Sequence, residues 1–238
     1  SMQGAVLESG TARRPGAVYL FANALENTDV RVTIDAFSHF DIEITNIDWS
    51  ATEYGGYDLA FQPEVDYNWV NPDGSIDPAG ERFVVFTFDF YDAGTNNLQS
   101  VNNLTLSAVD VDGDNYTVKE FIETTGFAAY ETNSPSNLSL SGTLKAKSTL
   151  NNATAIDETA LAHIISFDYG NTNSITVKYG AENTGASNNP AEGRLNALYF
   201  KCYELNTQVT CPEISISGPA TICTTEKATL TATQQFGT

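Results

Sequence analysis

Alternation with a two-residue period is the feature that most limits what this chain can fold into. In Phe83-Val84-Val85-Phe86-Thr87-Phe88-Asp89-Phe90, the set Val84, Phe86, Phe88 and Phe90 is wholly apolar, while the other face turns polar at Thr87 and Asp89. Successive side chains of a strand point to opposite faces of a sheet, so this segment predicts a strand with one face in a core. Val30, Val32 and Ile34 alternate with Arg31, Thr33 and Asp35 in the same way, as do Ile175, Val177 and Tyr179 with Thr176 and Lys178. Further strands are expected at Val18 to Ala22, Leu104 to Ala108, Val118 to Ile122, Ile164 to Phe167 and Leu195 to Tyr203.

Turn chemistry separates these runs: Tyr54-Gly55-Gly56-Tyr57, Asn71-Pro72-Asp73-Gly74, Ala93-Gly94-Thr95-Asn96-Asn97 and Gly170-Asn171-Thr172-Asn173. Short strands divided by such turns predict an all-β fold, an antiparallel β-sandwich of jelly-roll-like form. Only Ala153 to His163 reads as a helix, and nothing shows the strand-helix alternation of a parallel α/β sheet.

Thirty acidic residues against eleven basic ones give a formal charge of -19, the wrong sign for nucleic acid or an anionic membrane surface. No stretch approaches the ~20 apolar residues of a membrane span. Aromatics reach 11%, so the low charged fraction of 17% does not signal disorder. At 238 residues one large sandwich with a small appendage is expected. Residues 1–3 read as a cloning scar, 4–205 as the sandwich module, and 206–238 as a linker and a truncated second domain. The three cysteines, Cys202, Cys211 and Cys223, all fall near the C-terminal end. A Cys202–Cys211 pair would close a short loop and leave Cys223 over.

The best candidate site is Asp110-Val111-Asp112-Gly113-Asp114-Asn115. Carboxylates at alternate positions of a tight turn can converge on one hard cation, and calcium takes six to eight oxygens, so Asp110, Asp112 and Asp114 are expected calcium ligands. The register is not that of an EF-hand, since Asn115 and Phe121 stand where Gly and a bidentate Glu belong. Glu120 or Glu123 could complete the set from the next strand, and Asp89 or Asp92 from the end of a core strand. The expected role is structural, an ion clamping strand ends that carboxylate repulsion would splay. The acidic turn Asn71 to Asp77 reads as an ordinary tight turn.

Trp49, Tyr54, Tyr57, Phe61, Tyr67 and Trp69 crowd one region among glycines and acids. Exposed aromatic faces stack on sugar rings while neighbouring carboxylates fix hydroxyls, so Trp49, Tyr54, Tyr57 and Trp69 are candidate glycan contacts. The opposing reading puts the tryptophans in the core. Catalytic patterns are weak: His39 and His163 lack metal-ligand spacing, and no Gly-x-Ser-x-Gly elbow accompanies them.

The tail Cys211-Pro212-Glu213-Ile214-Ser215-Ile216-Ser217-Gly218-Pro219-Ala220-Thr221-Ile222-Cys223, followed by Lys227-Ala228-Thr229-Leu230-Thr231-Ala232, resembles the opening of immunoglobulin-like repeats in Bacteroidetes surface proteins. The resemblance implies that Cys223 pairs with a cysteine beyond Thr238. Gly16-Ala17-Val18-Tyr19-Leu20-Phe21, Ala60-Phe61-Gln62-Pro63, Phe88 to Thr95 and the Asp110 to Asn115 turn resemble modules of secreted adhesins from the same group. That implies a secreted or cell-surface, non-catalytic, calcium-binding module with a glycan and neighbouring domains of its own chain as partners. The rival readings are a spacer domain of a surface filament and a module of a polysaccharide-degrading enzyme.

Overall fold

A computed structural model describes residue 2 and residues 4–49, 60–69, 71–75, 79–114, 117–142, 144–150, 156–185 and 192–205, with two further strands at 213–217 and 231–235. The chain begins with β1 (Val6–Ser9), β2 (Val18–Leu25), β3 (Thr28–Phe37) and β4 (Ile42–Asn46). The short β5 (Ala60–Phe61) and β6 (Glu64–Tyr67) precede the long β7 (Gly80–Asp92). Then come β8 (Val101–Val109), β9 (Val118–Thr124), β10 (Ala129–Thr132), β11 (Leu138–Ser141) and β12 (Lys145–Ser148). A 3-10 turn at Leu161–His163 leads to β13 (Ile165–Thr172), β14 (Ser174–Asn183), β15 (Glu192–Leu195) and β16 (Ala197–Tyr199). The tail contributes β17 (Glu213–Ser217) and β18 (Thr231–Gln235), paired antiparallel with each other.

The architecture is the expected all-β one, with antiparallel pairing in every sheet. An eight-stranded sheet runs β1-β2-β3-β7-β14-β9-β12-β11. Its inner face shares one core with a five-stranded sheet, β10-β13-β8-β16-β5, and a three-stranded sheet, β15-β6-β4. Val84, Phe86, Phe88 and Phe90 on β7 are all 0% exposed, as their alternation predicts. Phe61 meets Phe86 and Phe88 edge to face at 5.2 and 5.3 Å, tying the two larger sheets together. Each such buried ring stabilises the fold by about 1.5–3 kcal/mol. Gly180 on β14 is fixed by close approach, since a Cβ there would lie 2.4 Å from the Arg82 carbonyl oxygen.

A second core lies on the outer side of β8 and β16, where Val109, Ala197 and Tyr199 are covered by Ile156, Ile164 and Leu205. The segment read from sequence as a helix supplies this cover with a 3-10 turn in place of an α-helix. Ile164 and Leu161 are needed as a lid over the sheet, and an extended chain with one tight turn delivers both. Residues 153–155 of that segment lie outside the described residues.

Candidate functional site

Two acidic regions stand out, one buried and one open. The buried one is built where the chain leaves β8 and enters β9. Asp110 takes a left-handed backbone (φ 62°), turning the chain so that Asp112 and Asp114 run alongside β9. The Glu120 N–H donates to the Asp112 carbonyl at 2.8 Å, the Asp114 N–H to the Val118 carbonyl at 3.3 Å, and the Val118 N–H to Asp114 Oδ1 at 2.9 Å. Glu120 lies on the inner face of β9 between buried Val118 and Ile122, so its carboxylate enters the sandwich. Asp110, Asp112, Asp114 and Glu120 are 5%, 1%, 7% and 1% exposed.

The cation that meets Asp112 and Glu120 is Arg194 of β15. Its Nε donates to Glu120 Oε1 and its Nη2 to Asp112 Oδ1, both at 2.7 Å. The guanidinium thus bridges a strand of the large sheet, the β8–β9 connection and the small sheet. Charge-assisted bonds at this length are strong, and in a buried setting the loss of one partner strands the others. The surroundings are buried: burial first, then the Glu120 charge, pushes the Tyr67 and Tyr179 hydroxyls well above their ordinary pKa. Tyr67 donates its hydroxyl to the Tyr179 carbonyl at 3.4 Å. His163 closes the rear, its Nδ1 3.2 Å from the Val111 carbonyl and its Nε2 3.0 Å from the Asn137 amide. Those contacts hold the ring in place as a structural histidine.

Of the expected ligand set, the fold brings Glu120 to Asp112. It does not bring Asp92. Ala181 of β14 pairs with both Arg82 and Glu120, so Glu120 is level with Arg82, ten residues along β7 from Asp92. At about 3.3 Å per residue the two carboxylates lie roughly 30 Å apart and cannot share an ion. Glu123 faces the opposite side of β9 and pairs with Lys178 at 2.9 Å. Among the described residues no group of three or more His, Cys, Asp or Glu side chains is arranged to hold a metal ion; Asn115 lies outside them.

The open region is the outer face of β15-β6-β4. Ile42, Ile44, Val65 and Tyr67 turn inward, which leaves Glu43, Glu64 and Asp66 outward. Glu43 and Gly193 flank Asp66 in register from the two neighbouring strands. Gly193 keeps the Asp66 carboxylate uncovered, since a Cβ there would lie 2.9 Å from Asp66 Oδ1. Burial, then the charges of Glu64 and Glu43, raises the Asp66 pKa.

At the edge of this face sits Trp49. Gln62 fixes the chain around it: the Trp49 N–H donates to the Gln62 carbonyl at 3.0 Å, and the Gln62 N–H donates to Asp48 Oδ1 at 3.0 Å. The half-buried indole points its Nε1–H at Glu64 Oε2, 3.3 Å away, and the Thr45 hydroxyl donates to the same oxygen at 2.6 Å. Burial pushes the Asp48 carboxyl up to about 7, against the opposing pull of the Gln62 N–H.

The other aromatic candidates divide. Trp69 is 1% exposed, donates its Nε1–H to the Gly80 carbonyl at 3.3 Å and packs against Tyr67, so it belongs to the core and is withdrawn as a surface contact. Tyr54 and Tyr57 lie outside the described residues. Cys202 is an exposed free thiol, 3.1 Å from the Thr105 hydroxyl, while Cys211 and Cys223 lie outside the described residues.

Sequence reasoning missed Arg194. It searched for partners of the aspartates among other acids. The available signal was scarcity: an arginine inside the short run Arg194-Leu195-Asn196-Ala197, in a chain with eleven basic residues, needs an anionic partner when its strand is buried.

No protein-family model matches the chain, and no curated protein matches it. Among solved structures, the chain is similar to the N-terminal domain of the Streptococcus gordonii adhesin Sgo0707, with a TM-score of 0.47 and 14% identity. The alignment covers 88% of this chain and 52% of that one, so the chain spans about half the length of the structure it matches. No helix among the described residues is long and apolar enough to cross a membrane.

Proposed function

We propose that this chain is a non-catalytic binding module of a bacterial secreted or cell-surface protein, taking carbohydrate on the outer face of β15-β6-β4 beside Trp49. The observation that carries the reading is the half-buried indole oriented by Glu64 at 3.3 Å next to a row of outward carboxylates. An indole held in one orientation offers a stacking surface at low entropic cost, and carboxylates accept hydrogen bonds from sugar hydroxyls. The acidic face selects neutral sugars over uronates and sialylated glycans by charge. A glycan array tests this: wild type is expected to bind neutral glycans and Trp49→Ala to lose them, whereas silence of the wild type across the array overturns the reading.

In this reading the Asp110 to Glu120 cluster is structural, and the guanidinium of Arg194 does the bridging expected of calcium. Calcium is the alternative closure, at Asp110 and Asp114 beside the Arg194 pair. A glycan-cleaving module is the second reading, favoured by Asp48. A carboxyl that burial holds up to about 7 has the make-up of a general acid, with Glu64 of β6 as the candidate second carboxylate. Turnover of a polysaccharide, lost in Asp48→Asn, would select it.

A further inference from the structure

At the other end of the five-stranded sheet, the β2–β3 turn, the start of β8 and Phe200 enclose a groove of about 440 Å³. β8 is irregular there. Leu104 pairs with Gly170 and Val101 with Thr172, so three steps on β8 face two on β13. The extra residue makes a bulge, and Asn103 takes the left-handed backbone that such a bulge needs (φ 54°). The two-residue alternation breaks as a result: Asn102 and Asn103 are both exposed, and both line the groove. Bulges of this kind re-aim side chains, here two consecutive carboxamides, onto one surface.

The rest of the groove complements them. Phe200 is half-buried and held edge to face by Phe88 and Phe90, both at 5.7 Å, so its ring is a fixed wall. Glu26 lines the rim and is exposed. Gln99, whose amide reaches the Asn27 carbonyl at 3.4 Å and the Thr28 hydroxyl, ties the β2–β3 turn to the segment that leads into β8. Paired amides that both donate and accept, an aromatic wall and one carboxylate acceptor match a ring bearing vicinal hydroxyls. The carboxylate, in a chain of charge -19, excludes anionic sugars.

We propose that this groove is a second saccharide site, taking the neutral hexose end of a glycan between Asn102, Asn103, Glu26 and Phe200. It rests on the carbohydrate reading above but not on the Trp49 face. Phe61 and Leu198 are level with Ala108, and Asn103 lies five residues further along β8, about 17 Å away. One glycan chain spanning both sites would gain avidity without new contacts.

The test is a titration of the isotope-labelled protein with lactose, cellobiose and maltose, read by amide and side-chain NMR shifts. Shifts at Asn102, Asn103 and Phe200 are expected. They should weaken about tenfold in Asn102→Ala/Asn103→Gly, a loss of about 1.4 kcal/mol. Glycine keeps the left-handed backbone, so an unchanged melting midpoint in that variant separates a lost contact from a lost fold. Shifts confined to Trp49 and its neighbours would overturn this groove and leave the first reading standing. Shifts confined to the groove would support it and remove the Trp49 face. No shifts with any of the three sugars would overturn it, and a positive glycan array for wild type would then keep the first reading.

Discussion

The two acidic regions use the same side chains to opposite ends. Around Asp112 and Glu120 the carboxylates are 1% exposed and meet a guanidinium at 2.7 Å on each side. On the outer face of β6, Glu64 and Asp66 stay half-exposed, Asp66 stands between Glu43 and Gly193, and burial, then the charges of Glu64 and Glu43, raises its pKa. Burial with a partner makes a clamp, since desolvation makes every unpaired charge costly. Exposure leaves acceptors whose interactions, such as the 4.0 Å pair of Glu43 with Arg14, a ligand can take over.

Removing the clamp's cation should have the largest effect. Arg194→Met is expected to destabilise the fold by about 3–5 kcal/mol in urea unfolding, because Asp112 and Glu120 are left buried and unpaired. A variant that also carries Asp112→Asn and Glu120→Gln should recover much of the loss, and a single variant close to wild type would break the contrast between the regions.

Asp48 supplies the next effect, through pH. Its folded-state value of about 7 lies above the ordinary 3.8, so folding takes up a proton between those values and stability falls as pH rises through that window. The fall is expected to reach about 2–4 kcal/mol by pH 8, and Asp48→Asn should abolish it. A flat wild-type profile from pH 4 to 8 would remove Asp48 from the buried, desolvated part of the face.

Smaller changes sharpen the contrast. Trp49→Ala should weaken binding of any glycan found on the array by at least about tenfold while leaving the Arg194 clamp, and so the bulk of stability, in place. Lys178→Met breaks the Lys178–Glu123 pair, whose partners are 29% and 28% exposed, and should cost no more than about 1 kcal/mol. An effect of that mutation as large as that of Arg194→Met would mean that burial does not set the value of these ion pairs.

Much of this fold was legible in the sequence where alternation was apolar against polar without interruption. Phe86, Phe88 and Phe90 of β7 and the apolar residues of the Val30 to Ile34 and Ile175 to Tyr179 runs all point inward as read. The strands β4 and β6 escaped notice because each is short, and their outward residues are acids next to turn-like composition. The site was legible in half. The aspartates of the β8–β9 connection were found from their spacing, but their partner comes from β15, some eighty residues on, and only the packing of the small sheet onto the large one brings it there. Trp49 and Trp69 looked alike in sequence. The backbone of Trp69 (φ 45°) follows Tyr67 into the core, while that of Trp49 is held by Gln62 at a sheet margin. The bulge at Asn103 left only the pair Asn102-Asn103 as its trace, in a chain where asparagine is common.

The division between a closed cluster and an open face is tested most directly by thermal melting of the wild type in added calcium and then in excess chelator. If Arg194 closes the Asp110 to Glu120 cluster, the two midpoints coincide. A midpoint that rises with calcium and falls on chelation, as mass action requires of a native-state ligand, would show that a metal ion is needed there and would contradict the account.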